Sequence, residues 1–323
     1  RQIRNKEKNN ICLDNAVAYR FQLHARYYKI HHLPNICTAL MNYALDALWW
    51  KLATPSVRDL ATLLTAPPLW QSGCELSVRE LLGERGFRYL LDLDGNPAPL
   101  DDYLAEHAPF GNRLGIYAER LLAFWFAHAP HTELHAYNLP VFSDDLTQGA
   151  ADFIDSINGK PYHIELTCKY YGSDSGKSAD MCGLNSKDTF ATKAAKLPRQ
   201  LALLQSPEGS EILRQNQLPA APQPASIIRG IGFFPVGADS AEAPLNPYCW
   251  RGIFIRAWSA YPTNDGARYH LIDRMAYLAP ARVTEAQTLS ERDVRQIESG
   301  LIAKLELRPD GFWHEIERIM KVV

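Results

Sequence analysis

The 323-residue sequence lacks any run of 18 uncharged apolar residues, and its greasiest stretch, LLAFWFA at 121–127, is far too short to cross a bilayer. The first ten residues, RQIRNKEKNN, are basic and polar with no apolar region or small-residue cleavage site behind them, which argues against a secretory signal. Cys12, Cys37, Cys74, Cys168, Cys182 and Cys249 are scattered without a C-x-x-C pair, so a zinc ribbon and a thioredoxin-type motif are excluded. Reduced thiols and a cytoplasmic location are the expectation. There is little net charge: the formal value of −2 excludes a protein that coats nucleic acid by bulk electrostatics, though not one with a local basic groove. His128, His131 and His135 do not form an H-E-x-x-H, and no G-x-S-x-G occurs, so zinc-peptidase and serine-hydrolase readings lack support. The loop GSDSGKS at 172–178 has three residues rather than four between its glycines, and the following ADMCG does not read as the helix a P-loop requires.

What is there is a globular composition, 46% apolar and 22% charged, in a chain long enough for one large core or two to three smaller ones. The spacing predicts helices across about 10–107: an apolar stripe at 39–52, Thr54 as N-cap before Pro55, and a capping box from Ser77 to Glu80. One largely apolar helix is expected at 113–128, interrupted by Glu119 and Arg120. Strands follow at 134–142, 151–157 and 162–171, then a helix at about 186–204 with Pro198 as a kink or early stop, then a strand at 226–234. Beyond lie a β-rich run at 250–258, a mixed segment at 269–278, and two expected helices at 291–304 and 312–321. The fold class is therefore α/β, organised as an N-terminal helical region (1–110), an α/β core (111–240) and a C-terminal α+β extension (241–323).

Asn158-Gly159 between two β-rich runs is a strong hairpin signal. With those two residues at the centre of a type I′ turn, cross-strand partners have numbers summing to 317, and Asp152 lies opposite Glu165. One hairpin face then carries Asp152, Ile154, Ser156, His163, Glu165, Thr167 and Lys169. The other carries Ala151, Phe153, Ile157, Tyr162, Ile164, Leu166 and Cys168, with Asp155 its polar exception. Two carboxylates opposed on neighbouring strands repel. A divalent cation would offset that repulsion, and hard oxygen donors completed by waters and a substrate phosphate are what Mg²⁺ prefers.

At these residues the sequence resembles the PD-(D/E)XK nuclease superfamily, whose core order is helix-strand-strand-strand-helix-strand. More narrowly, LGIYAERLLAFW, GAADFID, HIELTCKYYG and GLNSKDTFATKAAKLPRQLALL resemble the bacterial DUF1853 family over about residues 35–260. The resemblance implies a restriction-endonuclease-like core. It implies Asp152, Glu165 and the Leu166 carbonyl as ligands of Mg²⁺ or Mn²⁺, Glu119 as a helix carboxylate binding a second ion or fixing the first through water, and Lys169 as the lysine that orients water or stabilises the transition state. Thr167 occupies the position where Glu-x-Lys has its lysine, and Lys169 comes two residues late. The function implied is metal-dependent hydrolysis of phosphodiester bonds in DNA. A nuclease-derived module that binds nucleic acid or a protein without cutting is the alternative.

Lys193, Lys196 and Gln200 share a helix face and could contact a phosphate backbone, as could Lys177, with Tyr170 and Tyr171 available to stack on bases. A solvated helix face is the plainer reading of the two helix lysines, as is a strand filler for His163. Seven Lys/Arg against two acids in residues 1–30, and seven against four in 160–199, could line a phosphate path. The expected partner is nucleic acid, chiefly DNA, with no membrane; a homodimer or a protein partner stays open.

Overall fold

The computed structural model describes residues 51–143, 146–238, 241–262 and 266–323. The predicted stripe at 39–52 and the basic segment 1–30 therefore lie outside the described residues, apart from Lys51 and Leu52. Helix α1 (Pro55–Thr65) starts at N-cap Thr54 with proline in its first turn, where a missing N–H costs nothing. Helix α2 (Val78–Leu82) opens with the predicted capping box, Ser77 and Glu80 each satisfying the other's backbone N–H. Helices α3 (Gly86–Gly95) and α4 (Ala98–Glu106) complete the layer, and α5 (Leu114–His128) buries Leu121 to Phe126 without interruption.

Strands β1 (Thr132–Ser143), β2 (Leu146–Ile157) and β3 (Lys160–Gly172) form an antiparallel meander. Helices α6 (Phe190–Leu201) and α7 (Pro207–Gln215) then lead to β4 (Gln223–Phe234), which runs parallel to β3. The helix-strand-strand-strand-helix-strand order expected from the sequence is followed from α5 to β4 except that a second helix, α7, stands between α6 and β4. Pro198 does not stop α6, which runs on to Leu201. Five more strands follow: β5 (Trp250–Ile255), β6 (Arg268–Leu271), β7 (Arg282–Val283), β8 (Gly300–Leu307) and β9 (Trp313–Lys321). Among the described residues all nine join one sheet, ordered β1-β2-β3-β4-β5-β9-β8-β6, with β7 paired to the start of β9.

The two C-terminal helices expected at 291–304 and 312–321 are a correction. The first shrinks to α8 (Glu291–Val294), and the rest becomes the antiparallel pair β8 and β9. Both segments carry Glu, Arg and Lys, good helix formers. What overrides that preference is pairing on both sides of β9, whose Ile319, Met320 and Lys321 align parallel to Ile253, Phe254 and Ile255 of β5.

One face of the sheet is covered by α1 to α5, where Phe153, Ile157, Tyr162, Ile164, Leu166, Ala225 and Ile227 meet Leu121, Phe124, Trp125 and Phe126. On the other face α6 places Phe190, Leu197 and Leu201 against Tyr171 and Ile228, and α7 places Leu213 against Val141 and Ile154. Ala151, expected beside Phe153, instead joins this second group. Asp155 is fully buried on the first face, and burial, helped by the charge of Glu133, pushes its carboxyl up to about 8.

Charged side chains tie the helical layer to the C-terminal segment. Arg58 donates to the Pro280 carbonyl, and Asp59 accepts the Ala279 N–H at 3.0 Å and the Tyr117 hydroxyl at 2.9 Å. From β9, Arg318 donates to the carbonyls of Tyr277 and Ala279 while pairing with Glu315 at 2.6 Å. The strap 277–281 is therefore bound from both sides by buried charge. Among the described residues no helix is long and apolar enough to cross a membrane.

Candidate carboxylate centre at the β2–β3 fork

Asn158 and Gly159 both take positive φ, 51° and 77°, as a type I′ turn requires. From that turn the pairs Ile157–Lys160, Ser156–Pro161, Asp155–Tyr162, Ile154–His163 and Phe153–Ile164 follow the predicted register. The ladder then stops. At the next position, where Asp152 would face Glu165, the strands part, and the Asp152 carboxylate itself takes the Leu166 N–H at 2.8 Å. An acidic side chain thus substitutes for strand pairing at the mouth of the fork.

Glu165 is 1% exposed and each of its oxygens has a partner: Oε1 lies 3.0 Å from His163 Nε2, and Oε2 accepts the Gln200 amide at 2.8 Å. The face of β3 that carries His163, Glu165 and Thr167 is charged, as expected, yet it is buried beneath α6 rather than open. The Thr167 hydroxyl and His163 Nδ1 are also buried and have no hydrogen-bond partner among the described residues. Burial first, and the charge of Glu165 second, pushes the Asp152 carboxyl up to about 8.

Glu119 approaches from α5 on the first face of the sheet. Its Oε2 accepts the Tyr137 hydroxyl at 3.0 Å, and Arg120 lies over the Tyr137 ring at 4.5 Å. Burial raises its carboxyl pKa, and Glu165 adds to the rise. Lys193 approaches from α6 on the opposite face. It sits in the fields of Asp152 and Glu165, and burial lowers its pKa. Thr189 caps α6 by accepting the Thr192 N–H, which fixes the helix so that Lys193 and Gln200, two turns apart, face the strand. Lys193 Nζ reaches Gln200 Oε1 at 3.4 Å.

The fork therefore gathers Glu119, Asp152, Glu165, Lys193 and Gln200. The other predicted site residues lie elsewhere. Lys169 shares the Glu165 face but its Nζ is bound to Asp188 at 2.6 Å. Tyr170 points to the helical-layer side, packs on Tyr277 and donates its hydroxyl to the Tyr277 carbonyl. Lys196 is exposed on α6. Lys177 is exposed in the loop 172–178, after which comes a single 3₁₀ turn (Ser178–Asp180) rather than an α-helix. Asp188 and Tyr137 were not singled out from the sequence: one lies in an irregular loop, and the other reads as an ordinary strand aromatic. His163 carried a faint signal, two residues from Glu165 and so on its face.

For a divalent cation the donor set is hard oxygen, with Asp152 and Glu165 each keeping free lone pairs beyond the bonds described. Among the described residues no group of three His, Cys, Asp or Glu converges closely enough to ligate an ion.

A mixed α/β protein with, among the described residues, a nine-stranded sheet and a buried carboxylate centre is thereby defined. The chain belongs to the family described as domain of unknown function DUF1853, whose model matches residues 58–322. Comparison with curated proteins and with solved structures found no match.

Proposed function

We propose that the chain is a metal-dependent nuclease of the PD-(D/E)XK type, built on a restriction-endonuclease-like core from α5 to β4, that hydrolyses phosphodiester bonds in DNA in the cytoplasm. The observation that carries the reading is the fork: two acidic side chains from antiparallel strands converge where the ladder opens, and Asp152, buried and beside Glu165, takes the Leu166 N–H in place of a strand partner. Asp152 and Glu165 would hold Mg²⁺ or Mn²⁺, and Glu119 would bind through water. The ion, when bound, would neutralise phosphate charge and make water a better nucleophile at neutral pH. His163 and Gln200 hold the Glu165 carboxylate in place, so its orientation is set before an ion arrives.

The test is incubation of the purified protein with plasmid and single-stranded DNA plus Mg²⁺ or Mn²⁺. Cleavage that disappears in Asp152→Ala and Glu165→Ala is expected, and equal products from wild type and Asp152→Ala would overturn the reading. A second reading, a module that binds nucleic acid or protein without cutting, is favoured by the engagement of Lys169 with Asp188. Calorimetric titration separates the two, since absence of binding at millimolar Mg²⁺ or Mn²⁺ supports the module.

A further inference from the structure

The fold offers two lysines to the carboxylate centre, and they are held differently. Lys169 donates to Asp188 Oδ2 at 2.6 Å, while Asp188 Oδ1 takes the Tyr171 hydroxyl at 2.9 Å. Asp188 sits one residue before the α6 N-cap, so this trio fastens the loop entering α6 to the end of β3. Four residues of strand, about 13 Å of rise, separate Lys169 from Glu165, and closing that gap would cost the ion pair.

Lys193 has neither obstacle. It descends from α6 onto the fork, its hydrogen-bond chain runs through Gln200 to Glu165 Oε2, and the opposite charges around it are Asp152 and Glu165. Beneath α6 the strand position two residues after Glu165 holds Thr167, short and buried, its hydroxyl lacking a protein partner among the described residues. A small residue on the strand leaves room that a long one on the helix can enter.

We infer that Lys193, delivered from α6, is the lysine that serves the carboxylate centre, and that Lys169 anchors the α6 entry loop through Asp188. The inference rests on the nuclease reading and names the group that reading leaves unassigned. In hydrolysis a water oxygen bonds to phosphorus, and the bond to the leaving sugar oxygen breaks with its electron pair staying on that oxygen. The water gives a proton to solvent and the leaving oxygen takes one from solvent. Lys193 presents positive charge to the phosphoryl oxygens and keeps its proton throughout.

Wild type, Lys193→Gln, Lys193→Arg and Lys169→Gln are compared in two measurements. The first is Mn²⁺ affinity by calorimetry without DNA; the second is Mn²⁺-dependent cleavage of plasmid and single-stranded DNA. Removing a cation from beside two carboxylates strengthens ion binding, so Lys193→Gln is expected to bind Mn²⁺ about threefold or more tightly. Its cleavage is expected to fall about 100-fold. Lys193→Arg keeps the charge and should bind Mn²⁺ as wild type does, which separates lost charge from lost fold. Lys169→Gln should move both readouts less than Lys193→Gln. The opposite ranking in either measurement overturns the inference and leaves the nuclease reading standing. Wild-type protein that neither binds Mn²⁺ nor cuts overturns that reading and the inference with it.

Discussion

The Asp152 carboxylate, one residue from Phe153 in the last β2–β3 pair, accepts at 2.8 Å the main-chain N–H of Leu166, two residues past Ile164 in the same pair. Its pKa is raised from 3.8 to about 8, chiefly by burial and then by Glu165. A carboxyl that holds its proton more tightly when folded favours the folded state at low pH and loses that contribution as pH rises from about 4 to about 8. Thermal melts should therefore show wild type losing stability relative to Asp152→Asn across that window, since the amide keeps an acceptor for Leu166 without ionising. Added Mn²⁺ at pH 8 should raise the wild-type midpoint and leave Asp152→Asn nearly unmoved.

Gln200 bridges the ammonium of Lys193 and the buried carboxylate of Glu165. Gln200→Ala removes a donor from a charge that has lost its water, at a cost of about 1–3 kcal/mol. Urea unfolding measures it. A midpoint equal to wild type would mean that Glu165 finds another donor.

Two glycines separate strain from collision. Gly159 has φ +77° and open space around a built Cβ, so Gly159→Ala should cost about 1–2 kcal/mol of turn strain and leave the fold intact. Gly230, paired with Lys169 across β3 and β4, has φ +140°, and a Cβ there would collide with the Lys169 carbonyl oxygen. Gly230→Ala should yield little folded protein, as read by circular dichroism and soluble yield.

The strap 277–281 tests how the helical layer is held. Arg318→Met leaves the buried Glu315 without its ion-pair partner and takes a donor from the Tyr277 and Ala279 carbonyls, the first of which keeps the Tyr170 hydroxyl, and should cost about 3–5 kcal/mol. Asp59 is pushed up to about 6, mainly by burial, so its contribution declines as pH rises from about 4 to about 6. The stability of wild type relative to Asp59→Asn should fall across that interval in urea titrations at fixed pH steps.

The hairpin and its register were legible in the sequence because Asn158-Gly159 is a local instruction, and period-two alternation carries it outward to Phe153 and Ile164. The same alternation placed Glu165, Thr167 and Lys169 on one face. It was silent on where the ladder would open, because the parting of the strands depends on β1 keeping β2 while β4 keeps β3. The grip of Asp188 on Lys169 was hidden for a related reason: the two are joined by an irregular loop with no periodicity to read. In β8 and β9, local preference pointed to helix, and the deciding partner, β5, lies far back along the chain.

The position of β9 between β5 and β8 bears on the order in which the molecule can assemble. While the chain is emerging from a ribosome, β1 to β5 can pair among themselves, but the outer edge of β5 must wait for residues 313–321. Until they arrive, Ile253 and Ile255 border an unpaired row of backbone donors and acceptors, which is a template for a neighbouring chain. Production of shortened forms ending before Trp313 would therefore favour aggregates over a smaller folded protein, even though the carboxylate fork is complete by β4.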